Sequence, residues 1–415
     1  MEDGNNVDTV YLDYAKAFDK VDKGILAHKM KRMGVCGNLA IWLFNFLSSR
    51  TQIILANGAR SSVTDVTSGI AQGTVLGPIL FLIMINDLSE NILESVISLF
   101  ADDTRVTKVI KNKEDIKKMQ NDLDKIYKWQ VDNNMLFNTK KFELLRYGAE
   151  ELKSSGYTKP DNIEEIEVKH VLRDLGVQMN DKGDFTDHVD KVCSKVNQKS
   201  GWILRTFACR STYFMKMMWK TLVQGHIDYC RQLSQPLQSG NLTRIENLMK
   251  VYTKKMPELK TLNYWMRLKR LKMNSQQRRF ERYRIIYIWK ILEGKVPNPG
   301  GVDQCNSDRE GRRVMVPPLN RKSTGRVKSL REASFQVHGA RLFNALPKSI
   351  RDKTSCIEID FKEKLDGYLT NIVDEPKIGN LVPACCDQIT GAPSNSLVDQ
   401  IRLHRRENSG IRTPL

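Results

Sequence analysis

Three aspartates have the type and setting to do chemistry. Asp102 and Asp103 lie in SLFADDTRV, between an extended β-branched and aromatic run, Val96 to Ala101, and a returning run, Thr104 to Ile110. The spacing predicts a hairpin with the two carboxylates as its turn. The third, Asp13, follows the strand-like Val10-Tyr11-Leu12. Rigidly held carboxylates are the ligands that hard divalent cations take. An Asp-Asp pair alone is ordinary turn chemistry. Here it has company: between the two acidic strand ends sits SGIAQGTVLGPILFLIMINDL, a Gly-punctuated loop running into an apolar helix.

The elements that must position these groups are legible as periodicity. Asp22 can cap a helix carrying Ile25, Leu26 and Met30 as far as Gly34. A second helix puts Leu39, Trp42, Leu43, Phe46 and Leu47 on one face. Gln52 to Ala56 and Ser62 to Thr67 are β-like and meet across Asn57-Gly58, a strong hairpin signal. Asn112 can cap a long helix to Asn134, with Ile116, Met119, Leu123, Ile126 and Trp129 as its apolar face. Neighbouring strands of one sheet would bring Asp13 and Asp102 to the same edge despite their distance in sequence.

Composition narrows the partners. The 415 residues suffice for two or three domains, 40% of them are hydrophobic, and 66 Lys and Arg against 48 Asp and Glu leave a net charge of +18. An anionic polymer or acidic surface is the implied partner, nucleic acid being the simplest. The eight cysteines are scattered, without zinc-type spacing, and read as reduced thiols. The longest apolar run, Val75 to Ile85, is too short to span a bilayer, and no membrane partner is expected. His188 and His226 fall in helical patterns and read as packing or capping residues.

Acid-tipped strand, Gly-Gln-Gly loop with helix, and acid-tipped hairpin, in this order, resemble motifs A, B and C of a reverse transcriptase palm. The wording KAFD, AQGTVLGP and FADD is similar to the non-LTR (LINE-type, jockey-like) retrotransposon polymerases. MLFNTKKFELLRYG resembles motif D, and VLRDLGVQMN motif E, the primer-grip hairpin. The resemblance implies an α+β fold: a palm of antiparallel sheet on helices, then a helical thumb and a basic helical C-terminal region. It implies RNA-directed DNA polymerase activity with two Mg²⁺ ions (Mn²⁺ being possible), dNTPs, template RNA and a DNA primer.

Its residue roles carry over as follows. Asp13 and Asp102 would bridge the metals, with Asp103 assisting; Lys141 would neutralise or protonate the departing pyrophosphate. Phe18, with Leu12 and Tyr14 beside it, would meet the incoming nucleotide and select deoxynucleotides, while Gln72 and Gly73 would line its pocket. Asp19 is expected to belong to the start of a helix and not to the metal site. Leu175 and Gly176 would form the primer grip. The family often has Pro before the Gln of motif B, where this chain has Ala71.

Beyond the sheet the pattern turns helical from Thr186, and Lys254 to Lys290 interleaves base with aromatic residues. Lys254, Lys255, Arg267, Lys269, Arg270, Arg278, Arg279 and Arg282 are the candidates for nucleic-acid contact. The expected divisions are a palm over 1–150, a primer-grip region over 151–185, and thumb and basic helices over 186–299. A basic loop with short helices over 300–375 and a disordered tail over 376–415 complete them. The chain starts twelve residues before Asp13, so the fingers region of the resembled family is missing and an N-terminal truncation is expected. Two readings compete: an active polymerase with an intracellular life divided between nucleus and cytoplasmic ribonucleoprotein, and a silent remnant that only binds RNA or DNA. A group II intron maturase is disfavoured by the motif wording.

Overall fold

The computed structural model describes residues 5–90, 92–148, 156–160, 164–233, 239–298, 301–307, 311–318, 325–376, 378 and 397–408. By its internal contacts the chain divides into two compact units, one over Asp3–Leu172 and one over Arg173–Leu415. The architecture is α+β.

The first unit is built on a five-stranded sheet. In chain order its described elements begin with β1 (Asn6–Leu12), α1 (Ala17–Lys20), α2 (Lys23–Arg32) and α3 (Gly37–Ser48). The short strands β2 (Thr51–Gln52), β3 (Leu55–Ala56), β4 (Ala59–Arg60) and β5 (Thr64–Asp65) follow, then α4 (Leu76–Ile85). Next come β6 (Val96–Phe100), β7 (Asp103–Ile110), α5 (Lys113–Asp132), β8 (Glu143–Tyr147) and β9 (Glu167–Lys169). The sheet order is β6-β7-β1-β8-β9, so β1, first in sequence, is its central strand. It pairs antiparallel with β7, Leu12 opposite Thr104, and with β8, Val10 opposite Leu144.

Local chemistry explains these choices. Asp22 caps α2 as expected, accepting the N–H groups of Gly24 (2.8 Å) and Ile25 (2.9 Å). Asn112 caps α5, accepting from Asp115 N–H at 3.1 Å, and the α5 stripe Ile116, Met119, Leu123, Ile126 and Trp129 is buried under the sheet. On α3 only Leu43 and Leu47 go inside, while Leu39 and Trp42 stay exposed. The expected hairpin across Asn57-Gly58 forms at its tip, Ala56 opposite Ala59 with both turn residues at positive φ. It is not continuous, because Thr51–Gln52 pairs separately with Thr64–Asp65 and all four strands are exposed.

The even-numbered face of β1 buries apolar side chains and, at its start, a charge. Val10 and Leu12 enter the core, and Asp8, opposite Arg146, forms a buried pair with it at 3.3 Å. Tyr157 Oη donates to the same carboxylate at 2.8 Å. Burial pushes the Asp8 pKa up, and the two partners pull against it.

The second unit begins inside a hairpin, β10 (Val171–Asp174) and β11 (Val177–Asn180), and is otherwise mostly helical: α6 (Thr186–Thr206), α7 (Thr212–Met218), a π-turn, α8 (Gln224–Asp228), α9 (Ser239–Thr253), α10 (Tyr264–Leu271) and α11 (Gln276–Leu292). One core gathers Val189, Val196, Trp219, Met249, Trp265 and their neighbours from α6 to α10. A second forms around Ile285, Trp289, Phe343, Phe361 and Leu365, from α11, α13 (Phe335–Ala345) and α15 (Glu358–Thr370). The hairpin β12 (Gln304–Ser307) with β13 (Gly311–Val314) and the helices α12 (Gly325–Ala333) and α14 (Lys348–Arg351) complete its surroundings.

Two expectations are corrected. The basic stretch from 300 to 326, read as loop, contains the β12–β13 pair wherever it is described. The tail over 376–415, read as disordered, contains α16 (Leu397–Asn408), whose Leu397 and Ile401 are fully buried in the second core. Its low aromatic content hid an amphipathic repeat of aliphatic residues. The rest of that tail, apart from residues 376 and 378, and residues 151–155 and 161–163 of the expected loop lie outside the described residues.

Candidate active site

The first unit gathers its acidic residues by register. Asp13 follows the last residue of β1, and the β1–β7 ladder ends with Leu12 opposite Thr104. The next position along sets Asp13 beside Asp103, and residues opposite each other in antiparallel strands lie about 5 Å apart at Cα. The hairpin differs from expectation by one residue: Phe100 pairs with Asp103, so Ala101 and Asp102 make the turn and Asp103 already belongs to β7. Ala101 takes φ 50°, a left-handed value that a side chain adopts at a cost.

Period-two alternation decides which neighbours face the site. Leu12 and Tyr14 go to the core with Asp13 on the opposite side of the chain. The Tyr14 ring stacks on Phe137 at 4.4 Å, and burial raises its pKa. The expectation that the Leu12 and Tyr14 side chains meet a nucleotide is therefore corrected: both are interior.

Asp13 is held from a third strand. Its carbonyl accepts Asn138 N–H at 2.7 Å, which brings in the single turn Thr139–Lys141 ahead of β8. From that turn Lys141 Nζ donates to Asp13 Oδ2 at 2.8 Å. The hydrogen bond to Asp13 and its charge raise the Lys141 pKa, and Asp102 and Asp103 add to the field. Lys141 is mostly exposed and Asp13 about a quarter exposed, so the pair adds little to stability.

The Gly-Gln-Gly segment is stitched to the chain just after Asp13. Gly69 N–H donates to Val21 O and Ile70 N–H to Phe18 O, both at 2.8 Å, and Ser68 Oγ donates to Asp19 O at 2.9 Å. Gln72 Nε2 donates to Asp19 Oδ1 at 2.8 Å. Asp19 thus sits in α1 as expected and anchors the loop. The half-buried Phe18 ring stacks on Phe81 of α4 at 4.4 Å, and Gly73, exposed at φ 75°, has open space where a side chain would start. The residue that sequence reasoning missed is Gly69. It has φ 83°, and a Cβ there would lie 2.7 Å from Asp19 O; only the close run of glycines in SGIAQG hinted at it.

Among the described residues no group of three or more His, Cys, Asp or Glu side chains closes into a metal cluster. The acidic end nevertheless offers carboxylate oxygens alone, the donor set that hard divalent cations prefer, and the cation now held against Asp13 is the Lys141 ammonium. The donors fit Mg²⁺ by chemistry.

In the second unit Leu175 (φ 43°) and Gly176 (φ 90°) form the tip of the β10–β11 hairpin. Tyr229 Oη donates to Leu175 O at 2.5 Å, and a Cβ on Gly176 would come 3.1 Å from the Tyr229 ring. The basic candidates separate into two sets. Lys254, Lys255, Lys269 and Arg270 are exposed. The expected contacts of Arg267, Arg278, Arg279 and Arg282 with nucleic acid are corrected, because these guanidiniums are used internally. Arg278 is buried, donating to Leu369 O, Val373 O and Gln400 Oε1, and Arg267 is buried and donates to Lys250 O. Arg279 is paired with Asp228, and Arg282 with Asp366. His188 is buried and His226 lies on α8, each with its pKa lowered chiefly by burial. No described helix is long and apolar enough to cross a membrane.

A family model described as reverse transcriptase (RNA-dependent DNA polymerase) matches residues 4–179. The RNA-directed DNA polymerase from mobile element jockey of Drosophila melanogaster is 26% identical over 205 residues, which are 46% of this chain and 22% of that protein. Its Drosophila funebris counterpart is 33% identical over 139 residues, 32% of this chain and 15% of that one. The chain therefore spans less than a quarter of the curated relatives it matches. Among solved structures, a Candida tropicalis telomerase in complex with a fragment of telomeric RNA is 10% identical, covering 87% of this chain and 49% of that one, with a TM-score of 0.39. A Candida albicans telomerase complex is 12% identical over 69% and 44%, with a TM-score of 0.37. Scores at that level bear no weight on function.

Proposed function

We propose that residues 4–179, which match the reverse transcriptase family model and resemble the jockey polymerases, form a non-LTR reverse transcriptase domain, and that the chain is the palm and thumb of an RNA-directed DNA polymerase. It would join a primer 3′-hydroxyl to the α-phosphate of a dNTP on an RNA template, in an element whose life is divided between nucleus and cytoplasmic ribonucleoprotein. The observation that carries the reading is the β1–β7 register, which sets Asp13, Asp102 and Asp103 at one end of one sheet.

Asp13, Asp102 and Asp103 would hold the divalent cations. Two Mg²⁺ ions, when bound, supply activation of the attacking hydroxyl and charge stabilisation of the leaving oxygens. The remaining work falls to the chain. Lys141, whose Nζ donates to Asp13 Oδ2 at 2.8 Å, would neutralise or protonate the departing pyrophosphate. Phe18, fixed against Phe81, would place its ring under the sugar and obstruct a 2′-hydroxyl. Gly73, uncrowded and without a side chain, lets the backbone approach the nucleotide closely. Leu175 and Gly176 would steady the primer from the hairpin that Tyr229 braces, and Lys254, Lys255, Lys269 and Arg270 would meet phosphates.

Primer extension on poly(rA)/oligo(dT) with Mg²⁺ tests the reading, with Asp102→Ala as the control. Extension by the natural chain and its loss in the variant are expected. Binding of primer-template without extension by the natural chain would instead make it a silent, nucleic-acid-binding remnant.

A further inference from the structure

The second unit contains a cavity of about 540 Å³ that the polymerase reading does not use. Its wall brings together Arg313 of β13, His338 and Arg341 of α13, and Arg402 and Arg405 of α16, with Asp399 as the one acid among the described lining residues. Arg402 pairs with Asp399 at 3.3 Å from an open position, 68% exposed. Arg341, also exposed, has no carboxylate partner among the described residues. Among the described lining residues guanidiniums outnumber carboxylates four to one, a balance that favours an anion. Arg351, buried nearby, has its pKa lowered by burial first and then by Arg313; Asp352 offsets part of this, and Arg405 lowers it more weakly. His338 stacks on Phe280, its Nδ1 has no hydrogen-bond partner, and burial first, then Arg284 and Arg341, push its pKa down to about 3. The imidazole is neutral and leaves anion recognition to the arginines. Val316, Ala345 and Val398 supply apolar wall between the charges.

We propose that this cavity binds the phosphates of a single RNA strand, Arg341 and Arg402 each contacting a phosphate and the apolar wall taking a sugar or base. Arginine forks match phosphate geometry, the cavity has room for a nucleotide-sized group, and the net charge of +18 favours a polyanion. That the anion is RNA rests on the polymerase reading; that the cavity takes phosphate does not. The site is built wholly from residues of the second unit.

The test is fluorescence anisotropy of a labelled 20-nucleotide single-stranded RNA across a salt series, on the full chain and on Arg341→Ala/Arg402→Ala. Losing two phosphate contacts should lower the slope of log K against log salt by about 1.4, with affinity falling roughly 10- to 30-fold at 0.1 M salt. Lys113→Ala/Lys117→Ala, which removes the same charge from α5, should change affinity less than threefold. Equal losses in the two double variants, or none in the first, would overturn the proposal. So would unchanged RNA binding in an arginine variant that has lost affinity for inorganic phosphate or for phosphoinositide vesicles. A 4-thiouridine RNA cross-linked to the unaltered chain gives a check free of folding effects: adducts within 335–351 or 397–405 support the site, and adducts only elsewhere refute it. Primer extension on the same preparation separates the two ideas, since cavity binding with no extension would sink the polymerase reading alone.

Discussion

Gly69→Ala should damage the first unit far more than Gly73→Ala, although the two glycines have nearly the same backbone. Their φ values are 83° and 75°, so alanine pays the left-handed penalty of about 1–2 kcal/mol at either position. They differ in what lies ahead of the new methyl. At Gly73 there is nothing within 4 Å; at Gly69 the Cβ would sit 2.7 Å from Asp19 O and 2.8 Å from its carbonyl carbon and Cα, all backbone. Backbone cannot swing aside as a side chain can, so the two segments must separate. Separation strains or breaks Gly69 N–H to Val21 O, Ile70 N–H to Phe18 O and Ser68 Oγ to Asp19 O, each worth about 1 kcal/mol net. The expected costs are about 3–5 kcal/mol for Gly69→Ala and about 1 for Gly73→Ala. Because the chain has two units, a single melting curve does not isolate the effect. Hydrogen exchange of the amides in 10–25 and 68–72 does, and should show opening easier by at least 2 kcal/mol more in the Gly69 variant. Equal protection in the two variants would refute the reasoning.

Two further expectations concern stability. Burial pushes the carboxyl of Glu246, which accepts from Tyr264 Oη and Gln276 N–H, up to about 7. Its folded-state pKa is above the ordinary value, so below about pH 4.5 it costs nothing, stability falls as pH rises from there toward 7, and the loss is complete above 7. Glu246→Gln should therefore gain on the order of 2 kcal/mol at pH 8 and nothing at pH 4, read as urea midpoints; Glu281, also pushed to about 7, would keep its own share of the slope. Ala101→Gly should relieve the left-handed residue of the acidic turn and stabilise the β6–β7 hairpin by about 0.5–1 kcal/mol, measured by hydrogen exchange of β6 and β7; a destabilised hairpin would count against strain at that turn.

Much of the acidic site was legible because short-range rules determine it. Alternation along Val10-Tyr11-Leu12-Asp13 and the flanks of Asp102-Asp103 predict strands, and Asp22 and Asn112 announce their helices. The one-residue shift of the turn was not legible: the residue that yields is an alanine at positive φ, a choice that pairing along the whole of β7 imposes against local preference. Gly69 was missed for a similar reason, since its crowding comes from Asp19, fifty residues earlier. The basic stretch misled because charge says nothing of direction. Arg278 faces inward since carbonyl groups of Leu369 and Val373 wait for it there, and no pattern within α11 encodes those partners.

The placement of α16 bears on synthesis. When the ribosome has made residue 396, the layer around Ile285, Trp289 and Phe361 still awaits Leu397 and Ile401, so a nascent or prematurely stopped polypeptide would carry a greasy opening that chaperones must shield or that invites aggregation. The described core of the first unit is drawn from residues 10 to 166 alone, so it can assemble while translation continues.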